Sequence, residues 1–489
     1  MNILIIGNGF DLSHYLPTKY DHFMDVMKAI EEKDLGQPIK NIFDTSVDDL
    51  TTLLIKIQQF QYAFTEKTYQ MNFDELFAEC RDKWFIDKTK EIYITDSIKL
   101  SFEQIIKIQH QLKKNDWYQY FDNHVREVKS WIDFEIKISE ALKVIASFLI
   151  QLENKIDEFG SFSTEICFYG QKEPKQLFLT REYCNILELF KILKSGYYID
   201  EDCQDELGRF YTQNHDVGDE ETDGDFRFYI REKYIILHSG FLKIKVGQIL
   251  DEIYTSLDEF IKIFNHYLEI TVSKLQPKDQ LRIDAKDWIY PEKIYSFNYT
   301  NTYQRFYDAI EVDYLHGSFG ENQNIVLGIS ELEHENLIKL KAYGFTKYHQ
   351  KIFKDTDYLF LNDCKDKIEN HKLKIENLEK DFDSSDSLGK RFARQNLMEV
   401  ESKLNITFYI WGHSLDISDK DYIIDLFSLN DDMDRNVRVT VYYFDKNAKF
   451  SLLNNLLAIL GKEKVETWMK KNWLKFEKNP RIMMSDSIS

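Results

Sequence analysis

The spacing of apolar residues changes twice along the chain. At the start, Asn2-Ile-Leu-Ile-Ile6 is a short, mostly β-branched run, which predicts a buried strand running straight into the glycine turn Gly7-Asn-Gly9. From about residue 47 to residue 284 the period is helical. Leu50, Leu53, Leu54, Ile57 and Phe60 share one face. Trp131, Phe134, Ile138, Ala141, Leu142 and Ile145 share another, and Ile249, Ile253, Leu257, Phe260, Ile261 and Phe264 repeat the spacing. Residues 200–225 are polar and acidic and read as a surface loop. Strand-like runs return at 293–297, 312–315, 325–329, 406–411 and 437–444. Between them, 331–401 is charged and helical in pattern. Its Ile368, Ile375, Leu378 and Phe382 stand among charges, and a polar turn follows at 383–387.

Strands at the two ends of the chain with helices between them predict an α/β fold: a Rossmann-like, doubly wound parallel sheet. On this reading residues 1–46 form the first βα unit and 47–284 a large, mainly helical insertion. Residues 285–330 continue the sheet domain, 331–401 form a smaller helical-hairpin insertion, and 402–489 complete the domain.

Composition narrows the function. A net charge of −20 repels phosphate backbones, which argues against broad nucleic-acid binding. The five cysteines are dispersed with no Cys-x-x-Cys pair, a pattern that suits a reducing cytoplasm and offers no zinc ribbon. No basic, apolar and cleavable leader is present, and the longest apolar run, 141–150, is interrupted by Lys143 and too short to span a bilayer. The expectation is a cytoplasmic protein without membrane contact.

Four polar loops follow predicted strands: Gly7-Asn-Gly-Phe-Asp11, Ser296-Phe-Asn-Tyr-Thr-Asn301, Leu315-His-Gly-Ser318 and Gly412-His-Ser-Leu-Asp416. In an open α/β sheet such loops converge on one crevice. Each also has an ordinary reading. Asn298 and Asn301 suit helix caps, His316 suits a buried imidazole bonded to a carbonyl, and Asp416 and Asp419 suit caps of a helix starting near Lys420.

In order, the four loops resemble the NAD-site motifs of the sirtuin superfamily. Gly7-Asn-Gly-Phe-Asp11 with Tyr15-Leu-Pro17 is similar to Gly-Ala-Gly-x-Ser with Gly-Ile-Pro. Phe297-Asn-Tyr-Thr300 is similar to Gln-Asn-Ile-Asp, His316-Gly317 to the catalytic His-Gly pair, and Gly412-His-Ser414 to Gly-Thr-Ser. More closely, Ile-Ile-Gly-Asn-Gly-Phe-Asp-Leu with Leu-Pro-Thr, Ser-Phe-Asn-Tyr-Thr-Asn, His-Gly, and Gly-His-Ser-Leu-Asp with Asp421 resemble the bacteriophage abortive-infection AbiH family. So does Trp131-Ile-Asp133-Phe-Glu135. Only Cys364 lies where sirtuin deacetylases hold a four-cysteine zinc module, so neither deacylation nor a metal is implied.

What the resemblance implies is an NAD-cleaving hydrolase of anti-phage defence, with NAD as substrate. Asn298 would hold the ribose or the water, His316 would take a proton, and Asp11 would orient the water or face developing positive charge. Gly7, Asn8, Gly9 and Phe10 would hold the pyrophosphate through main-chain N–H groups. Pro17, Phe297, Thr300, Gly317, Gly412, His413, Ser414 and Asp416 would line the remainder of the site, with Ser414 at the adenosine ribose. A phage-derived trigger and a homo-oligomer are the implied partners, and the helix with Asp133 and Glu135 would be a lid. Two alternatives stand. Phe297 and Thr300, in place of an amide and a carboxylate, suit a non-catalytic NAD or ADP-ribose sensor. The acidic run Asp416, Asp419 and Asp421 suits a metal-dependent nuclease.

Overall fold

A computed structural model describes residues 1–34, 52, 55, 70–124, 131–168, 173–197, 226–238, 241–284, 290–356, 359–384, 387–401, 404–431 and 434–484. The helical face of Leu50 to Phe60, the acidic loop 200–225, and the side chain of Trp131 lie outside the described residues. The chain forms two compact units. One comprises Met1–Ile108, Phe264–Ser330 and Lys347–Ser489; the other comprises Gln109–Ile263 and Glu331–Thr346.

The first unit is built on a six-stranded parallel sheet. Its strands are β1 (Asn2–Ile6), β2 (Lys293–Ser296), β3 (Val312–Tyr314), β4 (Ile406–Trp411), β5 (Val437–Tyr443) and β6 (Leu474–Lys478). Their spatial order is β3-β2-β1-β4-β5-β6, every neighbouring pair parallel. β1 is central, and Ile3, Leu4, Ile5 and Ile6 are all buried, as a strand covered on both faces requires. Because successive side chains alternate, Ile3 and Ile5 enter one core with Phe408, Ile410, Val439 and Trp468. Leu4 and Ile6 enter the other with Phe10, Ile294, Tyr303 and Trp411.

The sheet differs from the sequence reading in two places. Residues 325–329 are apolar and mostly buried, but they form a loop rather than a strand. Polar groups from elsewhere stand in for a neighbouring strand: the Ile325, Val326 and Leu327 N–H groups donate to Gln323 Oε1, His316 O and Gln350 Oε1. Conversely, Leu474-Lys-Phe-Glu-Lys478 is a strand with alternating charges, the pattern of a protected sheet edge.

The second unit contains the greater part of two long helices, Trp131–Phe159 and Val246–Ile270, whose periodic apolar residues from Phe134 to Ile145 and from Ile249 to Ile261 are buried. It also holds a four-stranded sheet ordered Leu177–Phe178, Glu165–Cys167, Phe226–Ile230, Leu193–Tyr197. In the first unit, helices Asn362–Ser384 and Ser387–Glu401 pack against each other as a hairpin, and Cys364 and Ile368 anchor the first of them in the sheet core.

Candidate functional site

β3, β2, β1 and β4 are adjacent and parallel, so the loops that leave them emerge side by side at one edge of the sheet. These are the four loops singled out above. The glycines of the first and fourth interlock. Gly7 N donates to Trp411 O at 3.1 Å, Gly9 N to Gly412 O at 2.8 Å and Phe10 N to Gly7 O at 2.8 Å. A Cβ on Gly9 would stand 2.7 Å from Gly412 Cα, and one on Gly412, at φ +73°, would stand 2.1 Å from Phe10 N. These glycines therefore allow two backbones to touch, and three of the main-chain donors assigned to a pyrophosphate already bond within the protein. Asn8 is tied to the Pro17 turn, its Oδ1 accepting from Thr18 Oγ1 at 2.7 Å. The Pro17 carbonyl accepts from the Tyr267 hydroxyl at 2.5 Å. Gly317, at φ +79°, permits a turn that brings it against the Asn324 backbone.

Two buried polar groups stand behind these loops. In the first, Thr300 Oγ1 donates to Asp11 Oδ2 at 2.5 Å, and Thr302 Oγ1 donates to Thr300 Oγ1 at 3.1 Å. Asp11 Oδ1, Asn298 Nδ2 and Asn301 Oδ1 are buried without a hydrogen-bond partner among the described residues. Unpaired buried polar atoms are uncommon, and those of Asp11 and Asn298, close enough for the amide to act on the carboxyl, mark a candidate ligand site. Burial pushes the Asp11 carboxyl up from 3.8 to about 6, against the Thr300 and Thr302 hydroxyls, the Arg305 charge and the Asn298 amide. A carboxylate from the first loop thus reaches the hydroxyl of Thr300 in the second.

The second group gathers around Asp419, a residue the sequence presented only as a helix cap or one of an acidic run. Asp419 is at the N-cap position of helix Lys420–Ser428 but makes no capping bond; its carboxylate is turned inward. Asp419 Oδ1 is 3.2 Å from His316 Nε2 and 3.5 Å from Lys347 Nζ, and Oδ2 is 3.4 Å from His413 Nε2. The Phe297 ring lies against both imidazoles, 5.2 Å from His316 and 4.1 Å from His413 between centroids. Burial lowers His316 to about 3, so its ring is neutral at physiological pH. Burial raises the Asp419 carboxyl, but Lys347, His316 and His413 together outweigh that and hold it well below the ordinary range.

The remaining predicted residues have plainer surroundings. Asp416 caps the turn Ile417–Asp419 by accepting from Ser418 N at 3.0 Å. Ser414 is exposed, and its carbonyl accepts from Asn455 Nδ2. Among the described residues, no hydrogen bond or ion pair joins the Asp11 group to the Asp419 group. No set of three or more His, Cys, Asp or Glu is arranged there to hold a metal ion, and no helix is long and apolar enough to cross a membrane.

A six-stranded parallel sheet with buried, partly unpaired polar side chains at its carboxyl edge makes this an α/β protein with a candidate ligand site at its strand ends. The model of the bacteriophage abortive infection AbiH family matches residues 3–443, and the chain belongs to that family. Membership points to a role in phage abortive infection. Neither the curated proteins nor the solved structures yielded a match.

Proposed function

We propose that this chain is a sirtuin-like NAD-cleaving hydrolase of abortive infection, converting NAD and water to ADP-ribose, nicotinamide and a proton. The observation that carries the reading is the buried Asp11 carboxyl, raised to about 6 and half-partnered, in one group with the unpaired Asn298 amide. The strand order supports it too. Taken in chain order it is 3-2-1-4-5-6, that of doubly wound dinucleotide-binding sheets, whose ligands lie where the order reverses. β1 and β4 are the strands at that reversal.

The C–N bond of the nicotinamide riboside breaks with its electron pair passing to the ring nitrogen, so the leaving group departs neutral. The sugar passes through an oxocarbenium-like state, and water attacks its anomeric carbon. Asp11, with an affinity for protons close to the working pH, takes the water's proton. Asn298 Nδ2 donates to a ribose hydroxyl. His316 is neutral and a weak base, so it acts as a hydrogen-bonding partner. A phage-derived trigger and self-assembly belong to this reading as its regulation.

The second reading is a non-catalytic NAD or ADP-ribose sensor. It is favoured by Phe297 packed against two imidazoles where the sirtuin motif has an amide, and by the internal bonding of the Gly7, Gly9 and Phe10 N–H groups. The test is NAD consumption by purified protein, with and without lysate of phage-infected cells, followed by chromatography of ADP-ribose. Asp11→Asn and Asn298→Ala are each expected to lower turnover about 100-fold or more. Turnover indifferent to both changes would remove the residue assignment. Calorimetric NAD binding without product, trigger included, would select the sensor.

A further inference from the structure

His413 has only one way to place its proton. Its Nδ1 accepts from Leu415 N at 2.9 Å, so in the neutral ring the proton is on Nε2, which faces Asp419 Oδ2. His316 meets the same carboxylate from a different loop, again through Nε2. That approach, at 3.2 Å, is off the line of a hydrogen bond, so Nε2 is held beside the carboxylate by charge rather than by a bond and makes no hydrogen bond among the described residues. Asp419 is itself buried and held from a third side by Lys347. One carboxylate thus touches the third and fourth loops at once.

We propose that Asp419 is a positioning residue, which fixes both histidines as Nε2–H tautomers and leaves His316 Nδ1 as a hydrogen-bond acceptor for a hydroxyl of the bound ligand. The inference rests on the NAD reading for the identity of that hydroxyl, a ribose hydroxyl, but not for the tautomers. The reason is electrostatic. A buried anion attracts the N–H end of each ring, and the opposite nitrogen is left with its lone pair, the logic by which a buried aspartate sets a catalytic histidine. Lys347 keeps the buried carboxylate charged.

The experiment uses the full chain with histidine labelled by nitrogen-15. Long-range proton–nitrogen spectra report the tautomer of each ring, and His316→Gln and His413→Gln assign the two resonances by their loss. Both rings are expected as single Nε2–H tautomers in the unaltered protein. Asp419→Asn is expected to mix the His316 tautomers, Asp419→Glu to restore them in part, and kcat to fall at least tenfold in Asp419→Asn with KM little changed. A proton on His316 Nδ1 in the unaltered protein overturns the proposal, whether or not any variant folds. So does a His316 spectrum unchanged in a folded Asp419→Asn protein. The predicted tautomers in a protein that turns over no NAD would sink the hydrolase reading and leave Asp419's role standing.

Discussion

Asp11 is a buried group whose charge the fold opposes. Its carboxyl moves from 3.8 to about 6 on folding, so the native state binds that proton more tightly than the unfolded chain. Stability is therefore lost as pH rises through roughly 4 to 6, and above that window the buried charge costs about 3 kcal/mol. Asp11→Asn is expected to raise the melting temperature at pH 7.5 while removing turnover, the mark of a residue kept for function. His14 and His316, lowered by burial to about 4 and about 3, act oppositely and add stability as pH rises toward 6.5. The difference between the wild-type and Asp11→Asn melting curves, measured from pH 4 to 8, isolates the carboxyl; a flat difference would refute its raised proton affinity. In the same pH range kcat/KM is expected to rise, reach half its plateau near 6 and level off above about 7. Asp11 and Asn298 were legible as polar residues after strands. That Thr300 would donate to Asp11 was not, because the two are brought together only by the β1–β2 pairing.

At the scale of elements, the glycine turns carry the most information. Gly-x-Gly after a strand reads as a phosphate cradle, yet here it meets the Gly412 turn backbone to backbone. Gly412→Ala places a Cβ into Phe10 N at an unfavourable φ and is expected to cost at least about 1–3 kcal/mol. Gly247→Ala, near the start of helix Val246–Ile270 with nothing near its Cβ, is the control. It is expected to change stability by no more than about 1 kcal/mol, in the favourable direction. Thermal melts of both check the pair, and equal stabilities would refute the interlock. Caps show the same limit of local reading. Asp416 caps the short turn Ile417–Asp419 rather than the helix that begins at Lys420, whereas Asp419, at that helix's start, points inward. Both look alike in sequence, since a cap and a buried partner need the same short carboxylate.

At the scale of the molecule, the sheet depends on strands drawn from opposite ends of the chain. β1 is paired on one side by β2 and on the other by β4, both hundreds of positions away. A chain ending at residue 404 lacks β4, β5, β6 and the Gly412 turn, leaving β1 as an apolar edge. Such a chain is expected to be insoluble; a soluble fraction with native circular dichroism would count against the central place of β1.

Local pattern alone determined the apolar strands of the sheet's interior, though not the loop fate of the apolar run 325–329, and also the faces of the two long helices and the four polar loops, because period and turn chemistry act over a few residues. Only the tertiary structure decided which strands became neighbours, that the glycines face one another, and that Asp11 and Asp419 each gather partners from distant loops. Those outcomes follow from long-range pairing and burial, which no short stretch of chain encodes by itself.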